Sequence, residues 1–142
     1  VTDDVSRMEE SIYYLKRLIE LQPNNPIGHI NLGFRYQQLN KHEEAIALFD
    51  HAEKLNSSEK LVYSNRAYSY YKLKQYKAAF SDITKSIKLD ALNSYAYWVR
   101  AQLYFDTGDL QKGCEDLNQA LRLGYSKRYG DSAKELLDLY CN

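Results

Sequence analysis

Proline and glycine are scarce in this 142-residue sequence, which contains two Pro and six Gly against fourteen Tyr. So few helix breakers favour a helical chain. No apolar run approaches the ~20 residues of a membrane-spanning helix, so we expect no membrane insertion. Apolar residues make up 44% and charged residues 27% of the chain, values that exclude wholesale disorder. The length fits one ordinary domain.

Net charge is also lacking, because 19 Lys and Arg balance 19 Asp and Glu. A dedicated nucleic-acid binder is usually basic, so we expect no nucleic-acid partner. The balance is uneven along the chain, since residues 60–93 hold seven Lys and Arg but only two Asp and Glu. A solvated outer face is the favoured interpretation of these lysines. A patch for an acidic partner or a nucleic-acid backbone is the alternative.

Residue sets for catalysis or metal binding are missing. His29, His42 and His51 show neither i, i+4 pairing nor a cysteine at metal-ligand spacing. No glycine-rich phosphate loop is present, and the acidic residues are scattered. The sequence therefore predicts no enzyme, no cofactor and no metal site.

An internal repeat organises the chain, with a period of 34 residues. Small residues recur at one position of each unit and tyrosines recur three positions later: Gly33, Ala67 and Ala101, then Tyr36, Tyr70 and Tyr104. Within a unit, large and small residues follow i, i+4, i+7 spacing on two separate stripes, which is a helical period. Two antiparallel helices approach closely where a small residue makes room. Each unit is thus predicted to be a helix pair.

The ends of these helices carry recognisable signals. The predicted features are an N-cap at Asn25–Pro26, a capping box from Asn40 to Glu43, an N-cap at Asp109, a C′ glycine at Gly124 and a capping box from Ser132 to Glu135. Together with the stripes they predict eight helices joined by short turns.

The period of 34, with Leu32-Gly33, Tyr36, Ala45, Phe49 and Ala52 at their places, resembles the tetratricopeptide repeat (TPR) family. The resemblance implies one all-α domain, a right-handed superhelical stack of antiparallel helix pairs (an α-solenoid). Three full units are predicted at 26–59, 60–93 and 94–127. Residues 3–25 resemble the second helix of a preceding unit, and residues 128–142 resemble the family's capping helix. The ending is similar to short bacterial TPR proteins, some of which are exported.

A concave groove is the partner site that the resemblance implies. Positions 2, 5, 9 and 12 of each first helix centre roughly 130° away from the packing stripe at ~100° per residue, and position 6 borders the stripe that they form. The predicted groove residues are Ile27, Ile30, Asn31, Phe34, Leu61, Asn65, Tyr68, Tyr71, Tyr95, Trp98, Gln102 and Phe105. An exposed apolar and aromatic stripe marks an interaction site, with Asn65 as a polar contact. The alternative is that these side chains only pack against adjacent helices.

One TPR function is tested by the residues themselves. Units that clamp the C-terminal carboxylate of heat-shock chaperones carry Lys, Asn and Arg at five positions, which here are Ile30, Phe34, Asn65, Tyr95 and Val99. Only Asn65 matches that pattern. Without cations nothing neutralises the carboxylates, so the sequence argues against this clamp.

Two arginines, Arg66 and Arg100, occupy equivalent positions that face a neighbouring helix. We expect a structural role, either stacking on tyrosines or pairing with acidic residues between units.

The two cysteines, Cys114 and Cys141, form the sharpest local hypothesis. Cys114 begins the second helix of the last unit, and an antiparallel capping helix returns Cys141 towards it. In an oxidising compartment the pair forms a disulfide that holds the cap to the array, whereas in the cytosol it stays as two thiols. Neither the cysteine spacing nor a companion histidine supports a redox enzyme.

The predicted function is a non-catalytic protein-interaction module, an adaptor or scaffold that binds a peptide or a helix. The alternative is self-association through the N-terminal helix, whose apolar side includes Ile12, Leu15 and Ile19. Because Val1 is not an initiator Met, we expect that an upstream piece was removed. The compartment stays open, either cytoplasmic or periplasmic if a signal peptide preceded this sequence.

Overall fold

The computed structural model describes residues 3–142, and Val1 lies outside the described part. These residues form an all-α, right-handed stack of antiparallel helix pairs with 81% of the chain in helices and no strand in the described part. The helices of residues 3–142 are α1 (Asp3–Leu21), α2 (Pro26–Gln38), α3 (His42–Leu55), α4 (Lys60–Lys72), α5 (Tyr76–Leu89), α6 (Ser94–Asp106), α7 (Leu110–Arg122), α8 (Tyr125–Tyr129) and α9 (Ser132–Tyr140). The pairs are α2 with α3, α4 with α5, and α6 with α7.

Small residues allow the helices of a pair to pack closely. A Cβ added to Gly33 of α2 would lie 2.7 Å from the ring atom Cε1 of Phe49 in α3. Phe49 and the neighbouring Ala45 and Ala52 are completely buried, and Val62 of α4 closes the same core. The missing side chain at Gly33 therefore makes the space that the Phe49 ring fills.

The core continues from pair to pair along the stack. The second pair and α6 bury Ala67, Ala79, Ile83, Ala96, Val99 and Leu103. The third pair buries Ala101, Leu117 and Ala120 against Tyr125 and Ala133 of the C-terminal helices. Each large aliphatic side chain contributes about 1.5–3 kcal/mol by leaving water. Stability is thus distributed over interfaces between neighbours, as in other helical repeats.

Three of the predicted helix ends are confirmed. The Asn25 side chain accepts a hydrogen bond from the Ile27 N–H at 3.0 Å, with Pro26 at the first position of α2. Asp109 accepts from the Lys112 N–H at 3.1 Å. Gly124 has a φ of 89° directly after α7, a backbone conformation that glycine adopts without a steric penalty.

The two predicted capping boxes are wrong. Asn40 lies in the turn with a φ of 60°, and its Oδ1 contacts His42 Nε2 at 3.0 Å, so Lys41 is the N-cap of α3. Asp131 is the N-cap of α9, while the Ser132 hydroxyl lies 2.9 Å from the Tyr125 hydroxyl. In both turns the polar side chain contacts another side chain and does not accept a hydrogen bond from a backbone N–H of the first helical turn.

The predicted count of eight helices is wrong for residues 3–142, because a short helix, α8, precedes α9. The α8 helix follows Gly124 and ends at Gly130, which has a φ of 92°. Its Tyr125 is buried in the core that contains Ala101, Leu117 and Ala120. The α8 helix therefore packs on the end of the stack, where the next unit of a longer repeat array would pack.

The C-terminal helix α9 covers the open end of the stack. Cys114 of α7 and Cys141 after α9 lie next to each other, with their Cα atoms 5.9 Å apart, a separation that a disulfide can span. The Tyr140 ring stacks on Phe105 of α6 at 4.5 Å between centroids. This aromatic contact holds the end of α9 against the last helix pair.

Arg100 pairs within its own unit. It makes two hydrogen bonds to Asp116 of α7, at 2.7 and 2.9 Å. Its guanidinium also lies 5.5 Å from the Tyr97 ring and 5.8 Å from the Tyr104 ring. Arg100 therefore combines tyrosine stacking with acid pairing, but its acid lies in the same unit and not between units as expected.

Candidate functional site

An open pocket of about 230 Å³ lies where the first helices of the pairs meet α8. Its lining residues come from α2, α4, the turn before α6, α6 itself and α8: Phe34, Leu61, Ser64, Asn65, Asn93, Tyr95 and Tyr129. No charged side chain belongs to this lining. The residues are apolar or aromatic with a few amide and hydroxyl groups, the usual composition of a ligand pocket.

Large apolar side chains are partly exposed to solvent at and beside this pocket. Phe34 and Leu61 are each 44% exposed, and Ile27 is 40% exposed. Phe34 belongs to the first full unit and Leu61 to the next, so their exposed surfaces lie on neighbouring first helices. Exposed apolar surface next to a concavity is the pattern that marks an interaction site.

A cluster of stacked aromatic rings supports the wall of the pocket. Trp98 stacks between Tyr68 at 5.9 Å and Tyr125 at 5.5 Å. Tyr95 contacts Trp98 at 5.6 Å and Tyr129 at 5.7 Å. Burial raises the pKa of Tyr95 well above its usual value of 10, so its hydroxyl stays neutral. This cluster fixes the aromatic wall and leaves it uncharged.

Polar side chains of α2 and α3 hold α4 in place by hydrogen bonds. Gln37 Nε2 donates to the Asn65 carbonyl at 2.6 Å and to the Ser69 hydroxyl at 2.8 Å. His42 Nδ1 lies 3.1 Å from the same hydroxyl, and burial lowers the pKa of His42, which keeps the ring neutral near pH 7. The backbone of α4 at Asn65 is thus held by hydrogen bonds from α2 and α3.

Two amide groups of the pocket keep one unpaired function each. Asn65 Nδ2 donates to the Leu61 carbonyl at 2.8 Å, and its Oδ1 has no partner among the described residues. Asn93 Oδ1 accepts from the Tyr95 N–H at 3.1 Å, and its Nδ2 has no partner among them either. One acceptor and one donor are therefore free at the pocket.

The predicted groove residues divide into five groups. Phe34, Leu61, Asn65 and Tyr95 line the pocket. Tyr68, Tyr71 and Trp98 belong to the half-buried aromatic cluster behind it, where burial raises the pKa of Tyr71 to about 12. Ile27 and Asn31 are exposed on α2, outside the pocket lining, and Gln102 is half-buried with its Nε2 donating to the Trp98 carbonyl at 3.5 Å.

The remaining two predicted groove residues serve packing. Ile30 is only 3% exposed and lies in the first core. The Phe105 ring packs so closely on Gly113 that a Cβ added there would clash with it. The same ring stacks on Tyr140. Both side chains therefore pack between helices and not into the open pocket, Ile30 against α3 and α4 and Phe105 against α7 and the end of α9.

Four residues of the site are absent from the predicted groove residues. Tyr125 and Tyr129 come from α8, Asn93 comes from the turn before α6, and Ser64 comes from α4. The signal for α8 was available, since the two tyrosines are spaced i, i+4 directly after Gly124. Asn93 carried the usual signal of an N-cap, as Asn25 does at the equivalent position, and that signal does not indicate a pocket residue.

Neither a metal cluster nor a membrane span occurs in the described part of the chain. No three His, Cys, Asp or Glu side chains of residues 3–142 lie close enough together to hold a metal ion. In the same part of the chain, no helix combines the length and the apolar composition needed to cross a membrane.

The repeats match a known family. A family model described as tetratricopeptide repeat matches residues 28–59, 62–91 and 94–123, which is more than half of the chain. The chain belongs to the tetratricopeptide repeat family. Its TPR units support a role as a protein-interaction module, because the family is one of interaction scaffolds. A search of the curated proteins found no match.

Solved TPR structures share this fold. MamA 41-end from Desulfovibrio magneticus RS-1 has a TM-score of 0.72 at 22% identity, covering 94% of this chain and 83% of that one. TTC0263, a thermophilic TPR protein of Thermus thermophilus, has a TM-score of 0.79 at 16% identity, covering 96% and 74%. The second TPR of Spaghetti (RPAP3), bound to the HSP90 peptide SRMEEVD, has a TM-score of 0.66 at 29% identity, covering 74% and 99%. The first two likenesses show the fold alone.

Proposed function

We propose that this TPR protein binds an extended peptide segment of a partner protein in its concave pocket. The observation that carries the proposal is the open, uncharged pocket with two exposed apolar side chains, Phe34 and Leu61, at its edge. A partner side chain of Leu or aromatic type enters between them and contacts the aromatic wall. Large apolar anchors in such pockets supply most of the affinity of an interface.

The free amide functions favour an extended peptide over a helix. Asn65 offers an acceptor and Asn93 offers a donor on the same pocket. The backbone N–H and C=O groups of an extended segment are unpaired and match these two functions, whereas those of a helix are already bonded internally. The two asparagines therefore set the register of the peptide, and the apolar anchor supplies the affinity.

Charge separates this pocket from that of the HSP90-bound neighbour. The peptide in that structure, SRMEEVD, carries three acidic side chains. In this chain the matching positions hold Ile30, Phe34, Asn65, Tyr95 and Val99, of which Ile30 and Val99 are buried. Since no cation lines the pocket, a cluster of carboxylates would lose water without gaining a charged partner. We therefore expect SRMEEVD not to bind in this pocket.

Selection from a random peptide library tests the proposal. The protein is compared with Phe34→Glu/Leu61→Glu, which changes two exposed side chains. The matched control is Leu92→Glu/Leu139→Glu, since these leucines are 75% and 71% exposed and lie outside the pocket. Circular dichroism verifies that each variant folds.

The peptides whose binding is lost in the Phe34→Glu/Leu61→Glu variant are expected to share one apolar or aromatic anchor and to be poor in Asp and Glu. They bind the control as well as they bind the original protein. If no selected peptide loses binding in that variant, or if the peptides that lose it are enriched in acidic residues, the assignment to this pocket is overturned.

Self-association through α1 is the second candidate. The predicted apolar residues Ile12, Leu15 and Ile19 are half-buried, because α1 packs on α2. A cleft of about 300 Å³ nevertheless remains between α1 and the end of α2. Its lining is Asp4, Val5, Met8, Glu9, Ile12 and Leu39. Val5 and Leu39 are 48% and 42% exposed, so a second copy has apolar surface to cover.

Light scattering at several concentrations tests self-association. A mass that rises with concentration, and that stays at the monomer value in Val5→Glu/Leu39→Glu, supports it. A monomer at every concentration rules it out.

A further inference from the structure

The outer face of α5 carries only positive charge. We call Lys77, Ser81, Thr84, Lys85 and Lys88 the α5 face. All five side chains are exposed, and they comprise three lysines and two hydroxyl residues. The one acidic residue of α5 is buried and bonded elsewhere, so it does not neutralise this face.

These side chains form a continuous strip. Lys77, Ser81, Thr84 and Lys88 are spaced i, i+4, i+7 and i+11, which places them on one side of the helix. Two shallow hollows follow each other along it and share Ser81. At 1.5 Å per residue, Lys77 and Lys88 are about 16 Å apart, the length of an extended segment of about five residues.

The lysines of the α5 face make no ion pair. Within residues 3–142, no carboxylate lies at ion-pair distance from Lys77, Lys85 or Lys88, whereas Lys60 binds Asp90 at 3.0 Å. The Lys85 ammonium lies 4.4 Å from the Tyr63 ring centre, and its pKa is raised by the Tyr63 hydroxyl and by the charge of Glu53, so it stays charged. Glu53 is itself bonded to Arg66, so positive charge remains on this face and an acidic ligand gains energy here.

Apolar groups lie between the charges. Tyr76 and Ala78 line the first hollow with Lys77, and Phe80 lines the second with Lys85 and Lys88. A peptide that carries both carboxylates and methylene groups fits this mixture. The backbone of a nucleic acid offers only charge to it, and the chain as a whole is neutral, which disfavours general binding to polyanions.

We propose that the α5 face is a second interaction surface, which binds an acidic segment of a partner protein. The surface shares no residue with the pocket lined by Phe34, Leu61 and Tyr95. It selects the opposite chemistry, since the pocket disfavours carboxylates. The chain therefore holds two segments of different kinds, and either surface can be tested without the other.

Fluorescence anisotropy with a labelled hexaglutamate peptide tests the proposal, with hexaglutamine as the neutral probe. The variant Lys77→Glu/Lys88→Glu reverses two exposed charges at the two ends of the strip. The matched control Lys16→Glu/Lys54→Glu makes the same change in net charge on α1 and α3, where both lysines are exposed. A milder variant, Lys77→Gln/Lys88→Gln, covers the case that charge reversal perturbs folding.

Hexaglutamate is expected to bind and hexaglutamine not to bind. The affinity falls as salt is raised from about 50 mM to about 300 mM, because exposed charges are screened. It falls about tenfold in the Lys77/Lys88 variants and changes less than about twofold in the control. No binding of hexaglutamate, an equal loss in the control, or tighter binding to hexathymidylate or to phosphatidylserine vesicles than to hexaglutamate would overturn the proposal.

Discussion

Arg66 joins three helices through a buried cluster of ion pairs. From α4 it donates to both carboxylate oxygens of Asp82 in α5, at 2.7 and 2.9 Å. It also donates to Asp50 and Glu53 of α3, each at 2.9 Å. Although burial lowers it, hydrogen bonds to Asp82 and Glu53 raise the pKa of Arg66 above its usual value, and the bond to Arg66 lowers the pKa of Glu53. One guanidinium therefore links two repeat units.

Removing this guanidinium should destabilise the protein strongly. In Arg66→Ala the Asp82 carboxylate, 7% exposed, would stay buried without a cation. Breaking a buried pair in this way costs about 3–5 kcal/mol. For a chain of this length 1 kcal/mol corresponds to about 3 °C, so we expect a decrease in melting temperature of about 10 °C.

A surface ion pair provides the comparison. Arg17 and Glu20 are also only 2.7 Å apart, but their side chains are 55% and 63% exposed. Water and salt screen such a pair, so Arg17→Ala should cost less than about 1 kcal/mol. Urea unfolding followed by circular dichroism at pH 7 measures both variants under the same conditions.

A double variant separates lost charge from lost packing. Arg66→Met leaves Asp82 unpaired, whereas Arg66→Met/Asp82→Asn also removes the unpaired charge, so the double variant should be the more stable one. If Arg66→Met costs no more than Arg17→Ala, or if the Asn substitution recovers nothing, the reasoning from buried charge is refuted.

Three further changes have defined outcomes. We propose that the Cys114–Cys141 disulfide forms in the protein. The two cysteines are separated by 27 residues, so replacing both by Ser should lower the free energy of unfolding in urea by about 3–4 kcal/mol. Reduction of the unaltered protein should give the same loss. A Cβ at Gly113 would lie 2.4 Å from the Phe105 ring, so Gly113→Ala should cost about 1–3 kcal/mol, and adding Phe105→Leu should recover part of it. Burial lowers the pKa of His42, so near pH 6.5 the unfolded chain binds a proton that the folded chain does not. The free energy of unfolding should therefore fall from pH 7 to pH 5. In His42→Gln the slope of the free energy of unfolding against pH should be smaller. An unchanged slope would mean that His42 protonates equally well in the folded protein.

The fold was predictable because repetition strengthens a weak local signal. A small residue near a large one says little in a single helix. At Gly33, Ala67 and Ala101 the same position recurs in three units, and each residue is buried between helices. Asn25 and Asp109 were predictable as N-caps for a similar reason, since both act within two or three residues of themselves.

The site was less predictable because it depends on contacts between units. Helical angles alone placed Ile30 and Phe34 on the same stripe, yet Ile30 is 3% and Phe34 is 44% exposed. The neighbouring unit covers Ile30 and leaves Phe34 exposed. A projection of one helix does not show this difference. Tyr129 reaches the pocket only because α8 folds back onto α6, where it meets Tyr95.

The two proposed surfaces share one helix pair, α4 and α5, which has a consequence for how they work together. Leu61 and Asn65 of α4 belong to the pocket, and α5 carries the lysines. Between them Arg66 and Asp82 bond α4 to α5 in a buried, bidentate pair. Because this pair holds α4 against α5, we expect occupation of one surface to leave the other in place and to give it no differential energy. We therefore infer an adaptor that holds two segments at a fixed separation, and binding at one surface should leave the affinity at the other unchanged.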